Sequence, residues 1–168
     1  MLKHLFFVDK KYSEIIYRLS VKSTNLSTLI NKFTPFGGSI PMFLIILVVS
    51  NAKLLTAIIL FLMISISYVA SEKLIKGIFK RKRPSYSILK TYSFPSTHAL
   101  CTVSLLIFYL ICIPNTSLAL TALVLMYSAF VPFSRIYLGF HYISDILGGL
   151  AIGSILGILI SVIYLVVR

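Results

Sequence analysis

Charged residues are scarce in this 168-residue sequence. Only 12% of the residues are Asp, Glu, Lys or Arg, whereas about a quarter are charged in a typical soluble domain. Hydrophobic residues make up 58% of the chain, and the mean hydropathy is +0.99. This balance indicates a membrane protein rather than a soluble domain.

Residues that bind metals or form disulfides are also few. The chain has two cysteines, three histidines and four acidic residues, without a close-spaced ligand pattern. Such a composition does not predict a structural metal site. Cys101 and Cys112 are eleven residues apart in one apolar segment, too far along a helix to pair. We therefore expect neither a disulfide framework nor a zinc site, and no cofactor.

The hydrophobic residues are concentrated in long runs. A spanning helix needs roughly 20 mainly apolar residues, and about 17 are tolerated. Five runs reach this length, some with the help of uncharged flanks: Phe36–Asn51, Leu54–Ser71, Ala99–Pro114, Leu118–Pro132 and Ile143–Val167. The expected fold is an all-α integral membrane bundle of about five transmembrane helices, formed by residues 35–168.

Residues 1–34 precede these runs and have a different character. Charges recur throughout the segment, which argues against a cleavable signal peptide. Two apolar sets follow the helical i, i+3, i+4, i+7 pattern: Tyr12, Ile15, Ile16 and Leu19, then Leu26, Leu29, Ile30 and Phe33. The pattern predicts basic amphipathic helices that either lie in the headgroup plane or pack on the bundle.

Lysine and arginine are distributed unequally across the membrane. With five spans, the N-terminal segment and the loops 72–97 and 133–142 share one side, which carries fourteen of the sixteen cations. The positive-inside rule would make this side cytoplasmic. The rule concerns cations with no other role, and several of these belong to clusters that suggest a site.

Three polar clusters lie on this same side. They are Lys76-x6-Arg83-Pro84, Pro95-Ser96-Thr97-His98, and Ser134-Arg135-x5-His141-x3-Asp145. Ionisable groups near lipid are costly and usually functional. Taken singly, each cluster could be a snorkelling loop or a helix cap. Their common side and their spacing favour a single site.

The residue types in the clusters suit a phosphate group. Arginine forks match phosphate oxygens, and hydroxyls at the start of a helix lie beside free N–H groups that favour an anion. His98 and His141 can divide nucleophilic attack and proton transfer. His141 and Asp145 are four residues apart, so on a helix they would share a face, and the carboxylate could orient the imidazole.

In order and spacing, the three clusters resemble the signature of the type 2 phosphatidic acid phosphatase superfamily, which also includes soluble vanadium haloperoxidases. The motifs span residues 76–145, and the helix order agrees over about 36–167. Thr97 departs from the pattern, because the family commonly has glycine there, and its side chain could crowd the approach of phosphate to the backbone. Larger members typically have six spans, the first of which the amphipathic segment would replace here.

The resemblance implies a membrane lipid phosphatase that works without a metal, through a phosphohistidine. It makes His141 the nucleophile, Asp145 the residue that fixes its tautomer, and His98 the general acid and base. It assigns the phosphoryl oxygens to Lys76, Arg83, Ser96, Thr97 and Arg135. The expected partners are a lipid phosphate substrate and membrane lipids, and no nucleic acid.

The lipid stays open among undecaprenyl (polyprenyl) diphosphate, phosphatidylglycerophosphate and lipid A 1-phosphate. Further basic residues either recognise a second phosphate or, as we favour, bind anionic headgroups; they are Lys73, Lys80, Arg81, Lys82 and Lys90. A small anion channel or transporter with a basic filter loop is the alternative function, but it does not explain the motif spacing. A membrane-bound vanadate peroxidase would share the motifs, yet the soluble scaffold is missing.

Gly149, Gly153 and Gly157 recur every four residues in the last span. This spacing permits close helix packing, which we expect inside the bundle, with the protein a monomer or weak dimer. From the resemblance we expect a multi-pass protein of the bacterial inner or plasma membrane. Its active site is expected on the periplasmic or extracellular face, against the positive-inside prediction.

Overall fold

The computed structural model describes residues 2–33, 44, 54–113 and 116–167, and the regular structure in these residues is helical. The elements are α1 (Leu2–Lys22), α2 (Thr24–Phe33), α3 (Leu54–Val69), a π-helix (Ala70–Ile75), α4 (Lys76–Phe79), α5 (Thr97–Cys112), α6 (Leu118–Tyr137) and α7 (Ile143–Val167). The all-α prediction is confirmed. The first predicted span, Phe36–Asn51, lies outside the described residues except for Leu44.

Two helices in the described part of the chain are long and apolar enough to cross a membrane. They are α6 and, over Ile143–Val166, α7. α5 is a shorter apolar helix of 16 residues. The last predicted span agrees with α7 at both ends. The total of five spans stays a prediction.

α6 continues beyond the predicted end of its span. Pro132 was expected to end the span, but it lies inside the helix, which runs on to Tyr137. An interior proline removes one helical hydrogen bond, yet the next turn is intact, since Leu138 N–H donates to the carbonyl of Ser134 (2.9 Å). Ser134 and Arg135 therefore lie in the last helical turn and not in a loop, which corrects the prediction.

α3, the π-helix and α4 form one helical run from Leu54 to Phe79. The loop expected to begin at Glu72 therefore begins only at Lys80, and Lys76 is helical. Lys80 has a left-handed backbone with φ of 45°, a conformation that commonly follows a helix end. π-helical turns inside α-helices often occur at functional sites, and this one carries Glu72.

The largest helix interface joins α5 and α7, which run parallel. The glycine stripe of α7 faces α5: a Cβ at Gly153 would lie 2.3 Å from the backbone oxygen of Leu100, and one at Gly157 would lie 2.8 Å from that of Ser104. Only glycine permits this approach. The stripe packs within the chain, as expected, and brings the N-termini of both helices to the same end of the bundle.

α1 packs against α6 and α7. Its inward face carries the buried Ser13 and Ser20, together with Ile16, which contacts the core beneath α7. Tyr12 and Leu19, from the predicted apolar set, are exposed. α1 therefore packs on the bundle and still presents an apolar outer face.

Candidate active site

The three predicted clusters meet at the end of the bundle where α5 and α7 begin. Ser96 N–H donates to the backbone oxygen of Asp145 (3.0 Å) and so joins the second cluster to the third. Arg83, from the first cluster, donates to the backbone oxygen of Phe140 (2.6 Å), next to His141. His98 interacts electrostatically with Arg135, His141, Lys76 and Arg83. We call the three cations of this group, Lys76, Arg83 and Arg135, the cationic cluster.

His141 lies in the short turn between α6 and α7 and is buried. Its Nε2 is 3.1 Å from Nη1 of Arg83. Because a guanidinium group can only donate, Nε2 must accept, and the proton of a neutral imidazole is then on Nδ1. Nδ1 faces Oδ2 of Asp145 at 3.5 Å, which is longer than the usual N–H···O distance of about 2.7–3.2 Å. This tautomer leaves the Nε2 lone pair on the side of the cationic cluster.

The protonation state of His141 also favours a free lone pair on Nε2. Burial lowers the pKa of His141 to about 4; Asp145 opposes this shift, and Arg83 and Lys76 add to it. A neutral imidazole at neutral pH keeps its lone pair available for nucleophilic attack.

Neutral acceptors hold Arg83 in place. Its Nε donates to the backbone oxygen (3.1 Å) and the hydroxyl (3.2 Å) of Thr91, and its Nη2 donates to the same hydroxyl (3.1 Å). Burial lowers the pKa of Arg83, while Glu72 and Asp145 raise it, and an arginine in a protein keeps its charge. The fixed guanidinium group beside Nε2 of His141 suits a phosphoryl oxygen.

Lys76 is buried and pairs with Glu72, a residue that sequence reasoning missed. Lys76 Nζ lies 2.5 Å from Glu72 Oε1. The same oxygen accepts a hydrogen bond from the hydroxyl of Thr97 (2.5 Å). Glu72 precedes Lys76 by four residues on one helical run, and this spacing is the signal that could have found it.

Lys76 and Glu72 form an ion pair, and the shifts in the pKa of each group agree with this. Burial lowers the pKa of Lys76, and Glu72 opposes that effect. For Glu72, burial is the largest single influence and raises the pKa, but the hydrogen bonds from Lys76 and Thr97 bring the net shift downward. Glu72 thus keeps Lys76 charged in a buried position.

Thr97 stands where the resemblance leads one to expect glycine. Its side chain is buried, and its hydroxyl lies 2.5 Å from Glu72 Oε1 and 3.0 Å from the hydroxyl of Ser71. The hydroxyl is therefore engaged by neighbours from the π-helix. The predicted phosphate role of Thr97 stays a prediction, and the group left for it is the backbone N–H at the start of α5.

Ser96 and Arg135 complete the predicted set. Ser96 is fully buried, and its hydroxyl has no hydrogen-bond partner within the part of the chain that the structure describes. Such a group is unusual and offers a bond to a ligand oxygen. Arg135 lies 5.5 Å from the ring centre of Phe140, and its carbonyl accepts the N–H of Phe140 (2.9 Å) and of His141 (3.3 Å).

The structure corrects the prediction that Arg81 binds headgroups or a second phosphate, because its guanidinium group is bonded to two carboxylates. Its Nη2 donates to Asp9 (2.7 Å), and its Nη1 donates to Asp145 (2.7 Å) and to the hydroxyl of Ser144 (2.5 Å). We call Asp9, Arg81, Ser144 and Asp145 the carboxylate network. Asp9 is 72 residues from Arg81, so no local pattern could have predicted the pairing. The other additional cations are exposed: Lys73, Lys80, Lys82 and Lys90.

Of the acidic residues, the sequence motifs assign only Asp145 to the site and miss Asp9 and Glu72. The chain has four of them. Asp9, Glu72 and Asp145 bond to lysine or arginine side chains at this end of the bundle, whereas Glu14 pairs with Arg18 on the exposed surface. Because the chain has so few acidic residues, the position of a carboxylate beside a basic motif is a signal that it belongs to the site.

The matched protein family covers most of this region. The PAP2 superfamily matches residues 53–167. The dihydrosphingosine 1-phosphate phosphatase YSR3 of Saccharomyces cerevisiae is 38% identical in an alignment of 73 residues that covers 39% of this chain. The match spans only 18% of the length of the yeast protein.

Two solved structures resemble the fold. The first is a transmembrane PAP2 type phosphatidylglycerolphosphate phosphatase from Bacillus subtilis, with a TM-score of 0.78, 20% identity, and coverage of 98% of this chain and 88% of the other. The second is LpxE from Aquifex aeolicus, with a TM-score of 0.62, 22% identity, and coverage of 89% and 92%. At these identities the likeness shows the fold. Because the family match covers more than half of the chain and includes every predicted site residue, the chain belongs to the PAP2 superfamily.

Proposed function

We propose that the protein is a membrane lipid phosphatase that removes a phosphate, or hydrolyses a diphosphate, on a lipid headgroup through a phosphohistidine at His141. One observation carries this proposal: Nε2 of His141 lies 3.1 Å from Nη1 of Arg83 while Nδ1 faces Asp145 at 3.5 Å. A lone pair beside a guanidinium group, with a carboxylate behind the ring, is suited to nucleophilic attack on phosphorus.

In the first step, Nε2 of His141 attacks the phosphorus atom. The P–N bond forms as the bond from phosphorus to the lipid oxygen breaks, and His98 donates a proton to that oxygen. Burial and the surrounding cations lower the pKa of the free His98 imidazole to about 3, so the negative charge of the bound phosphate group is what holds this proton on His98. Lys76, Arg83 and Arg135 offset the charge on the equatorial oxygens, which is the main demand of phosphoryl transfer. Asp145 stabilises the positive charge that develops on the imidazole.

In the second step, water releases the phosphate. His98 takes a proton from a water molecule as its oxygen attacks phosphorus, and the P–N bond breaks. Inorganic phosphate leaves, Nε2 regains its lone pair, and His98 is again the acid. The charge stabilisation comes from side chains of this chain, so we expect turnover without a metal.

The substrate class is an amphiphile with a terminal phosphate. The Bacillus subtilis relative is named for phosphatidylglycerolphosphate and the yeast relative for dihydrosphingosine 1-phosphate. A site at one end of apolar helices can take the headgroup while the tail stays in lipid. The candidates are undecaprenyl diphosphate, phosphatidylglycerophosphate and lipid A 1-phosphate.

The outer face of α1 fits the interfacial position predicted for residues 1–34. Tyr12, Ile15 and Leu19 are exposed on it, and Lys10 and Lys11 lie alongside. An apolar face flanked by lysines is suited to the headgroup region. We therefore place α1 at the membrane surface, packed inward on the bundle formed by residues 35–168.

We place the site on the periplasmic or extracellular face of a bacterial inner or plasma membrane. Four of the cations on this side, Lys76, Arg81, Arg83 and Arg135, serve the site and should not count as topology signals. Ten others remain on this side against two on the opposite side, so the placement rests on the resemblance and runs against the positive-inside rule. Ser85 lies in the loop on this face and is exposed, whereas both native cysteines are buried. Ser85→Cys should react with an impermeant thiol reagent in intact cells. Labelling only after permeabilisation would place the site inside.

Phosphate release by the purified protein tests the proposed activity. In detergent with EDTA, we expect inorganic phosphate from at least one of the candidate lipids, inhibition by vanadate, and no release by His141→Asn. Activity that disappears in EDTA and returns with magnesium would rule out the metal-free mechanism. Anion flux in liposomes without phosphate release would favour the channel alternative.

A further inference from the structure

The first turn of α7 is capped by residues of α1. Ile143 N–H donates to the hydroxyl of Ser13 (3.0 Å), and Ser144 N–H donates to Oδ1 of Asp9 (3.1 Å). These are N–H groups that a helix N-terminus leaves without helical partners. Ser13 precedes Ile143 by 130 residues, so α7 receives its cap from a distant helix. The same turn carries Asp145.

Arg81 connects this cap to Asp145. It donates to Asp9 and to Asp145 at 2.7 Å each, and the hydroxyl of Ser144 donates to Asp9 (2.5 Å). The side chains are largely buried, with exposed fractions of 16% for Arg81, 12% for Asp9 and 0% for Asp145. Buried carboxylates need a partner, and the planar guanidinium fork can serve two of them at fixed angles.

Both oxygens of Asp145 are committed by these contacts. Oδ1 accepts from Arg81 (2.7 Å), while Oδ2 accepts the backbone N–H of Tyr142 (2.9 Å) and faces Nδ1 of His141. Turning the carboxylate would break one of its hydrogen bonds. The orientation of Asp145 towards His141 is therefore fixed by Arg81 and by the backbone N–H of Tyr142.

α1 also contacts the other side of the turn that carries His141. The rings of Tyr17 and Tyr86 stack, with centroids 4.2 Å apart and planes at 6°. They lie over Gly139, where φ is +74° and a Cβ would come within 2.7 Å of Tyr17 and 2.9 Å of Tyr86. The turn is thus held between the aromatic stack and the carboxylate network.

We propose that Asp9 and Arg81 are positioning residues for the reaction, which makes α1 part of the machinery that orients His141. Asp9 and Arg81 act through Asp145, and neither contacts the substrate. The inference rests on the proposed function for its kinetic consequence. Loss of the network should slow attack by His141 and leave phosphate binding by the cationic cluster intact.

Matched substitutions separate this role from general effects of charge. Asp9→Asn keeps the size and an acceptor for Ser144 N–H but removes the charge. Arg81→Gln removes the fork, and Arg81→Lys keeps only the charge. Glu14→Gln changes an acid on the same helix in an exposed pair with Arg18, and Lys82→Gln changes the exposed cation next to Arg81.

Single-turnover quench measures the rate at which the phosphoenzyme forms. Misplacement of a reacting group by about 1 Å can cost on the order of 10²-fold, and we expect a loss of about that size for Arg81→Gln. Asp9→Asn should lose about tenfold, and the double variant less than the product of both losses, because coupled residues are not additive. Arg81→Lys should recover part of the rate. KM should stay within about twofold of wild type throughout, and the two controls should match wild type.

The tautomer of His141 gives a readout that needs no substrate. The chain has three histidines, so subtraction of the His141→Asn spectrum assigns the ¹⁵N resonances of His141. We expect the Nδ1–H form in wild type and the two controls, and a mixture of tautomers in Arg81→Gln. If wild type hydrolysed none of the lipid phosphates, the proposed function would fail while this test still stood.

Two results would overturn the inference. One is an unchanged tautomer and quench rate in both Asp9→Asn and Arg81→Gln. The other is a raised KM with unchanged kcat, which would make Arg81 a substrate-binding residue. Helical content is measured for each variant, and if Arg81→Gln unfolds, Asp9→Asn and Arg81→Lys decide the outcome.

Discussion

The cationic cluster and the carboxylate network lie on opposite sides of His141. The two regions differ in the partners that hold their arginines. In the network, Asp9 and Asp145 share one arginine at 2.7 Å each. In the cationic cluster, Glu72 is bonded to Lys76, while Arg83 bonds to carbonyl, hydroxyl and imidazole groups. The two arginines carry the contrast: Arg81, bonded to two carboxylates, fixes the scaffold, whereas Arg83, held by neutral acceptors, keeps its charge available to a phosphoryl group.

Arg81 and Arg83 show the difference most clearly. They are two residues apart in one basic loop, and the sequence gives no reason to separate them beyond the motif. Arg81 points to α1 and the first turn of α7, whereas Arg83 points to Thr91 and the turn at Phe140. Their partners, not their chemistry, determine which one can meet a substrate.

The largest effect is expected where the two regions meet, at His141. His141→Asn removes the nucleophilic lone pair and should reduce turnover of every lipid phosphate by on the order of 10⁴-fold or more. The measurement is phosphate release, with Cys101→Ser as a buried control. Retention of more than a small part of the activity would show that another group attacks phosphorus.

His98 should have the next largest effect, and its size should report the leaving group. Acid–base help is typically worth about 10²–10⁴-fold. A diphosphate expels a lipid monophosphate with a second pKa of roughly 6, whereas a monoester expels an alkoxide, nearer in basicity to hydroxide, whose parent water has a pKa of about 15.7. His98→Gln should therefore slow phosphoenzyme formation little from a polyprenyl diphosphate and strongly from a monoester.

Hydrolysis of the intermediate provides the internal control for His98→Gln. The intermediate no longer contains the leaving group, so its breakdown should slow equally for both substrates. Single-turnover quench separates the two steps. Equal losses in the formation step would exclude His98 as the leaving-group acid.

Conservative changes at Arg81 and Arg83 separate the roles of the two arginines. Arg83→Lys removes the fork that faces the phosphoryl group, and loss of one such donor costs about 10²–10³-fold, so kcat/KM should fall by about 10² with a higher KM. Arg81→Lys should lower kcat with KM unchanged. Steady-state kinetics of both variants on one substrate checks this, and the same pattern for both would remove the distinction between the two regions.

The smallest effect is expected at Glu72, the carboxylate paired with Lys76. Burial lowers the pKa of Lys76, whereas the neighbouring Glu72 carboxylate raises it. Glu72→Gln should therefore lower the pKa of Lys76 further. Lys76 serves phosphate in its charged form, and activity is lost as pH rises through its pKa. The alkaline limb of kcat/KM should therefore move to lower pH, with Glu14→Gln as the unshifted control. A shift to higher pH would contradict the assigned ion pair.

The sequence could predict the features that depend on local spacing. α7 has the predicted bounds because its long apolar run carries only one charge, Asp145 in the first turn, and the PAP2 resemblance is confirmed by the family match over residues 53–167. The boundaries around Pro132 and Glu72 were wrong because helices continue through both positions. Proline and charge weaken a helix without ending it when tertiary packing supports the next turn.

The carboxylate network could not be predicted, because its residues meet only when α1 lies against α7. Arg81 is separated from Asp9 by 72 residues and from Asp145 by 64, and it had no motif of its own. Glu72 was within reach of sequence reasoning through its i, i+4 relation to Lys76. The hydroxyl of Thr97 donates to the carboxylate of Glu72. This contact could be recognised only from the structure.

Trapping the covalent intermediate is the most direct test of nucleophilic attack by His141. His98→Gln should be mixed in EDTA with a polyprenyl diphosphate labelled at the terminal phosphate, quenched in alkali to preserve a phosphohistidine, digested and sequenced by mass spectrometry. We expect the label on the peptide that contains His141, and no label on it when His141 is also replaced by Asn. Phosphate release without a labelled peptide, or a label on another residue, would rule out a phosphohistidine at His141.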